Sequence, residues 1–162
     1  MSRLDSFIRR LEAQRACLDL AAERVANRPG VILELGLGNG RTFDHLREKL
    51  PGRQIIVFDR QVAAHPACIP IESCLVLGDI AETLPRAVER YRGEVVLVHS
   101  DIGSGDEAMN AKIAAFLSRT LPPALAPGAL VLSDQELSIP GTKALPLPAG
   151  VKPGRYFLLE VA

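Results

Sequence analysis

The segment Val31-Ile32-Leu33-Glu34-Leu35-Gly36-Leu37-Gly38-Asn39-Gly40 constrains this chain more than any other. An apolar run of this length, broken only by Glu34, suits a strand buried on both faces of a parallel sheet. The glycines at alternate positions then permit a tight turn with positive φ, or a ligand pressed against the backbone. The stretch 41–50 that follows reads as a helix. In open parallel sheets, ligands bind beyond the carboxyl ends of the strands, where the strand order reverses. The loop therefore points to a nucleotide-like ligand. The dinucleotide fingerprint Gly-x-Gly-x-x-Gly would need a third glycine where Arg41 stands, and no Gly-Lys-Ser/Thr sequence follows, which excludes a P-loop.

The rest of the chain extends this pattern. Apolar runs at 54–58, 73–77, 94–98 and 129–133 alternate with helical stretches at 81–91 and 106–121, as in a doubly wound α/β domain. The segment 60–72 contains Pro66 and Pro70 and predicts a reduced crossover with no regular helix. The runs 143–147 and 156–161 are joined without a helix, which predicts an antiparallel hairpin. Ahead of the glycine loop, Leu4, Phe7, Ile8, Leu11, Leu18, Ala22 and Val25 recur at helical spacing on one face. Ser2 stands as N-cap with Asp5 as its acidic partner, and Pro29-Gly30 closes the helix. Arg15 falls on this apolar stripe. Either its stem covers apolar surface while its head reaches water, or the helix lies over a ligand.

The acid-x-Gly-x-Gly-x-Gly pattern from Glu34 to Gly40 resembles the first motif of class I S-adenosylmethionine-dependent methyltransferases. Asp59, at the tip of Ile55-Ile56-Val57-Phe58-Asp59, and Gly78-Asp79, after Leu75-Val76-Leu77, continue the resemblance, as does the terminal hairpin. It covers about residues 31–162 and implies a Rossmann-like doubly wound, seven-stranded, mostly parallel sheet of order 3-2-1-4-5-7-6. In this reading residues 1–30 form a helix packed on a single methyltransferase domain, 31–162. The resemblance implies that Gly36, Leu37, Gly38, Gly40 and Thr42 surround the methionine part of S-adenosylmethionine, with Glu34 holding the loop. It implies Asp59 at the ribose, Arg60 beside the adenine, and Gly78, Asp79 and Ile80 framing the adenine. Arg15 or Gln14 would meet the methionine carboxylate, and S-adenosylhomocysteine would be the product. The segments RLDSFIRRLEAQRACLD, LELGLGNGRTFDHLRE and PLPAGVKPGRYFLLEVA are also similar to a small, little-characterised bacterial family of such enzymes.

Groups for the transfer itself lie after the fourth and fifth strands, in Val98-His99-Ser100-Asp101 and Ser133-Asp134-Gln135. His99 and Asp101 are the candidate catalytic residues, because an imidazole titrates near neutrality and a carboxylate can accept an acceptor's proton. Asp101 with Asp134-Gln135 is similar to the magnesium site of catechol-type O-methyltransferases, but Gln135 replaces an Asn and no Lys comes soon after Asp101, so no metal is assigned. The Asn/Asp-Pro-Pro-aromatic motif for planar amino nitrogens is absent, and so is the Pro-Cys nucleophile for cytosine. A small-molecule acceptor is expected. A nicotinamide-dependent oxidoreductase and a non-catalytic cofactor binder, or a subunit that needs a partner, are the competing readings.

Composition bounds the partners. A chain of 162 residues is one domain. Lys plus Arg and Asp plus Glu both number 19, so the charge surplus that phosphate binding exploits is missing and no nucleic-acid partner is expected. The apolar runs are far shorter than the roughly 20 residues of a membrane span. The odd cysteine count and the absence of a signal-peptide core point to reduced thiols in a cytoplasm. The gap between the fifth strand and the hairpin leaves apolar surface that a homodimer would cover.

Overall fold

The computed structural model describes residues 1–162. Helix α1 (Arg3–Val25) precedes β1 (Val31–Leu35), α2 (Arg41–Lys49), β2 (Ile55–Asp59), β3 (Leu75–Leu77), α3 (Ile80–Arg90), β4 (Val95–Ser100), α4 (Glu107–Thr120), β5 (Leu125–Ser133), β6 (Thr142–Ala144) and β7 (Phe157–Val161). The sheet order is β3-β2-β1-β4-β5-β7-β6. The first five strands are parallel, while β7 runs antiparallel to both β5 and β6. Between β2 and β3 the chain makes only two single 3-10 turns, Pro66–Cys68 and Glu72–Cys74. This is the reduced crossover that its prolines predict.

Strand alternation divides the core into two layers. Leu33, Leu35, Ile56, Phe58, Val98 and Val131 pack toward α3 and α4. Ile32, Val57, Leu97, Leu130 and Leu132 pack toward α1 and α2, against Cys17, Leu18, Val25 and Leu46. Glu34 has the parity of Ile32, so its side chain enters the α1/α2 layer at the carboxyl end of β1.

The start of α1 matches the capping expectation. Ser2 Oγ accepts from the Asp5 amide at 3.0 Å, and the Ser2 amide donates to the Asp5 carboxylate at 3.1 Å. The apolar stripe is used only in part. The buried residues of α1 are Ala13, Gln14, Cys17, Leu18, Ala21, Ala22 and Val25, which include only Leu18, Ala22 and Val25 of that stripe. Leu4, Phe7 and Ile8 are exposed, because the first turns of α1 run past the strand tips instead of lying on the sheet. The final hairpin is shorter than its apolar runs predict, since Leu145 and Leu147 pack as loop residues against the α1/α2 layer. No helix is long and apolar enough to cross a membrane.

Burial of Cys17 between α1 and the sheet pushes its thiol up to about 11, whereas Cys68 and Cys74 are half-buried in the β2–β3 connection. A thiol reagent should modify Cys68 and Cys74 in the native protein and Cys17 ~100-fold more slowly, because its reaction waits on an opening of roughly 3 kcal/mol or more. Equal labelling of all three thiols, read by mass spectrometry, would contradict the packing of α1.

Candidate functional site

The reversal in strand order lies between β1 and β4, and Glu34 and His99 are register partners across it. Both side chains are 0% exposed. His99 Nδ1 lies 2.9 Å from each Glu34 carboxylate oxygen, and Thr42 Oγ1 donates to Glu34 Oε1 at 2.6 Å. Burial alone would lower the affinity of His99 for its proton. The charge and hydrogen bond of Glu34, helped by Asp101 and Asp134, outweigh it and hold His99 above the ordinary imidazole range. The ring stacks on Tyr156, with centroids 6.1 Å apart. His99 therefore meets Glu34 of β1 and Tyr156 just ahead of β7, and its ring is closed off from solvent. The Nε2 atom is buried and has no protein partner, so no open cleft reaches the ring of this candidate base.

The glycine loop grows from this pair. Asp59 at the tip of β2 accepts from the Leu37 and Gly38 amides at 2.9 and 3.0 Å through one oxygen, and from the Arg60 amide at 2.6 Å through the other. Partial burial works against ionisation of Asp59, but these backbone donors hold its carboxyl below the usual range. The glycines differ in what they allow. A Cβ on Gly36 would lie 2.6 Å from the Ile102 side chain, and one on Gly40 would lie 2.8 Å from the Cys68 carbonyl oxygen. Gly38, at φ +52°, faces open space. Gly40 thus packs the loop against the β2–β3 connection, whereas Gly38 leaves its own surface clear for a ligand.

Two clefts meet at Gly36. One, of about 340 Å³, is bounded by Phe58, Asp59, Gly78, Ile80, Met109 and Ile113. The other, of about 300 Å³, has Gly36, Leu37, Gly38 and Thr42 on one wall and Phe7, Arg10 and Gln14 of α1 on the other, with Asp101 at its base. The first offers an apolar slot for a flat ring with a carboxylate at its mouth. The second offers backbone amides and polar side chains. The resemblance expects adenine and ribose in the first and the methionine part in the second. Asp79 caps α3 by accepting from the Ala81 amide at 2.9 Å, and its other oxygen lies 3.9 Å from Arg60. It stands at the rim, and its neighbours Gly78 and Ile80 form the wall.

Arg15 is placed differently from its expectation. It is exposed and lines a separate groove with Arg9, Glu12 and Lys152. Gln14 and Arg10, four residues apart on the helix, face the loop. Sequence reading singled out Gln14 but missed Arg10, which in Arg9-Arg10 reads as a solvated charge. Gln14 Nε2 donates to Asp101 Oδ2 at 2.5 Å and to the Tyr156 hydroxyl at 2.6 Å, and Arg10 pairs with Asp101 at 3.2 Å. Tyr156 was also missed, since an aromatic in a terminal strand reads as core.

Beyond Asp101 lies Asp134. Its Oδ2 accepts from the Gly103 amide at 3.0 Å, and its buried Oδ1 has no protein donor. Burial, then the charge of Asp101, push the Asp134 carboxyl up. Asp134 faces a third cavity of about 410 Å³, walled by Arg10, Ser104, Gln135, Arg155 and Tyr156. Through the shared Arg10 it adjoins the cleft at the glycine loop. No three His, Cys, Asp or Glu side chains converge to hold a metal ion.

Residues 1–161 match the family described as S-adenosyl-L-methionine methyltransferase. A crystal structure of an S-adenosyl-L-methionine methyl transferase from Silicibacter pomeroyi is 45% identical, with a TM-score of 0.93 over 100% of this chain and 99% of that one. The S-adenosylhomocysteine-bound methyltransferase PaMTH1 of Podospora anserina is 15% identical, covers 90% of this chain and 76% of its own, and has a TM-score of 0.60. A Burkholderia thailandensis 1,6-didemethyltoxoflavin-N1-methyltransferase, solved with its substrate and S-adenosylhomocysteine, is 14% identical over 91% of this chain and 76% of its own, with a TM-score of 0.54. These two share the fold. A comparison with curated proteins returned no match. The loop, its acidic strand tips and the end-to-end family match lead to one conclusion: this chain belongs to the S-adenosyl-L-methionine methyltransferases.

Proposed function

We propose that this methyltransferase transfers the methyl group to a nucleophilic oxygen or nitrogen of a small molecule held in the cavity beside Asp134. The cavity's contact with the cleft at the glycine loop carries this reading. S-adenosylmethionine supplies an electrophilic methyl on a sulfonium. The acceptor's lone pair forms the new bond to that methyl as the sulfur–carbon bond breaks, and the acceptor's proton passes to Asp134. Asp101 tunes the affinity of Asp134 for that proton and is itself oriented by Gln14 and Arg10. Arg10, in place of Arg15, also receives the methionine carboxylate with its free N–H groups, and Gln14, whose two amide N–H groups serve Asp101 and Tyr156, accepts from the methionine ammonium through its carbonyl oxygen, while Asp59 holds the loop and takes a ribose hydroxyl in place of the long 3.4 Å contact from the Gln61 amide. His99 and Glu34 position this constellation. The free thiols support a cytoplasmic setting. Exposed Leu4, Phe7 and Ile8 give a second copy a face to cover in a homodimer.

Three outcomes follow for this site. Calorimetry should detect S-adenosylhomocysteine binding and no NAD binding, and the reverse pattern would replace the reading with the oxidoreductase. Asp59→Ala and Gln14→Ala should each weaken S-adenosylhomocysteine about tenfold or more, because each removes hydrogen bonds worth ~1.5 kcal/mol or more in a charged setting. Arg15→Ala should stay within about twofold of the parent. Equal losses for Gln14→Ala and Arg15→Ala would contradict the assignment of the helix face. In a carbon NMR titration, Asp134 should keep its proton above the ordinary aspartate value of 3.8. Asp101→Asn removes the neighbouring negative charge and should move that titration to lower pH. An unmoved titration would separate the two carboxyls.

A further inference from the structure

We infer that the methyl acceptor carries an oxyanion, a carboxylate or a phosphate, bound in a basic groove that opens from the acceptor cavity. This rests on the methyl-transfer reading and adds the substrate's class. Arg155 lines both the cavity beside Asp134 and a larger groove of about 710 Å³ between α1 and the loop ahead of β7. Arg9 and Arg15 enter this groove from α1, and Lys152 enters from the loop. Neither Arg155 nor any of these three is among the cations that make ion pairs in this protein. The chain as a whole carries equal numbers of basic and acidic residues, so four unpaired cations around one groove are a local excess.

The acids facing the groove are Glu12 and Asp19. Asp19 is already engaged by His45 at 2.7 Å and Lys49 at 3.6 Å. Glu12 has no cationic partner and sits on the same helix as Arg9 and Arg15. A long polyanion laid along α1 would meet both acids, whereas a small anion beside Arg155 and Lys152 would not. A guanidinium fork pairs with two oxygens of a carboxylate or phosphate, which gives Arg155 the chemistry to orient such a group. Because Arg155 also borders the cavity of Asp134, an acceptor anchored there would extend its nucleophile toward Asp134.

The test uses the full chain saturated with S-adenosylhomocysteine, so that the cofactor clefts are filled. Pyrophosphate and citrate are titrated separately by calorimetry, the first as a phosphate and the second as a carboxylate. At least one should bind. Arg155→Gln and Lys152→Gln should each weaken it about fivefold or more, while Arg86→Gln on exposed α3 should leave it within twofold. S-adenosylhomocysteine binding by each variant verifies its fold. Preference for pyrophosphate assigns a phosphate, and preference for citrate assigns a carboxylate. No anion binding, or binding that Arg155→Gln and Lys152→Gln leave unchanged, would overturn the inference while the methyl-transfer reading stands. Failure to bind S-adenosylhomocysteine would overturn that reading and this inference with it.

Discussion

The buried pair of Glu34 and His99 ties together the elements that make the cleft. Sealing a carboxylate and an imidazole away from water costs several kcal/mol per ion unless each finds its counter-charge and hydrogen bonds. Here the two charges meet as register partners on β1 and β4, and Thr42 at the start of α2 completes the carboxylate's bonding. One interaction thus fixes the strand tips on both sides of the switch point and the entry to the helix after the glycine loop. Asp59 then secures the loop from the other side through backbone amides. The ligand surface is held by two carboxylates, neither of which needs to touch the methyl group.

Much of this was legible in the chain. Continuous apolar runs gave the parallel strands, Pro66 and Pro70 gave the reduced crossover, and the missing helix after the fifth strand gave the antiparallel ending. Glu34, Asp59 and Asp79 stand at the strand ends where their place in the sequence puts them. The errors came from side-chain direction and from tertiary contact. The periodicity of α1 reads as one buried stripe, but it cannot reveal that the helix outruns the sheet and leaves Leu4, Phe7 and Ile8 exposed. Nor does it separate Arg15 from Gln14, adjacent residues about 100° apart around the axis. His99 suggested a base because of its intrinsic titration range. Its register against Glu34, which buries the ring, depends on the alignment of two strands far apart in sequence.

Size and charge balance take on a more specific meaning beside the structure. The sheet and its helices account for most of the chain, so the proposed acceptor space is assembled from the first turns of α1, the glycine-containing loop after β4, the loop after β5 and the loop ahead of β7. These segments hold Arg10, Asp134, Arg155 and Tyr156 around a single cavity. The balanced total charge conceals an uneven distribution, with unpaired cations gathered at the acceptor side and acids gathered at the strand tips.

The central claim is that Glu34 and His99 form a charged pair beneath the loop. Nitrogen NMR of the His99 imidazole across a pH titration of the unliganded protein tests it most directly. The His99 ring is expected to lose its proton only above the ordinary value of 6.5. A neutral His99 ring at pH 6.5 and above would contradict it, and would leave the glycine loop resting on an uncompensated buried carboxylate.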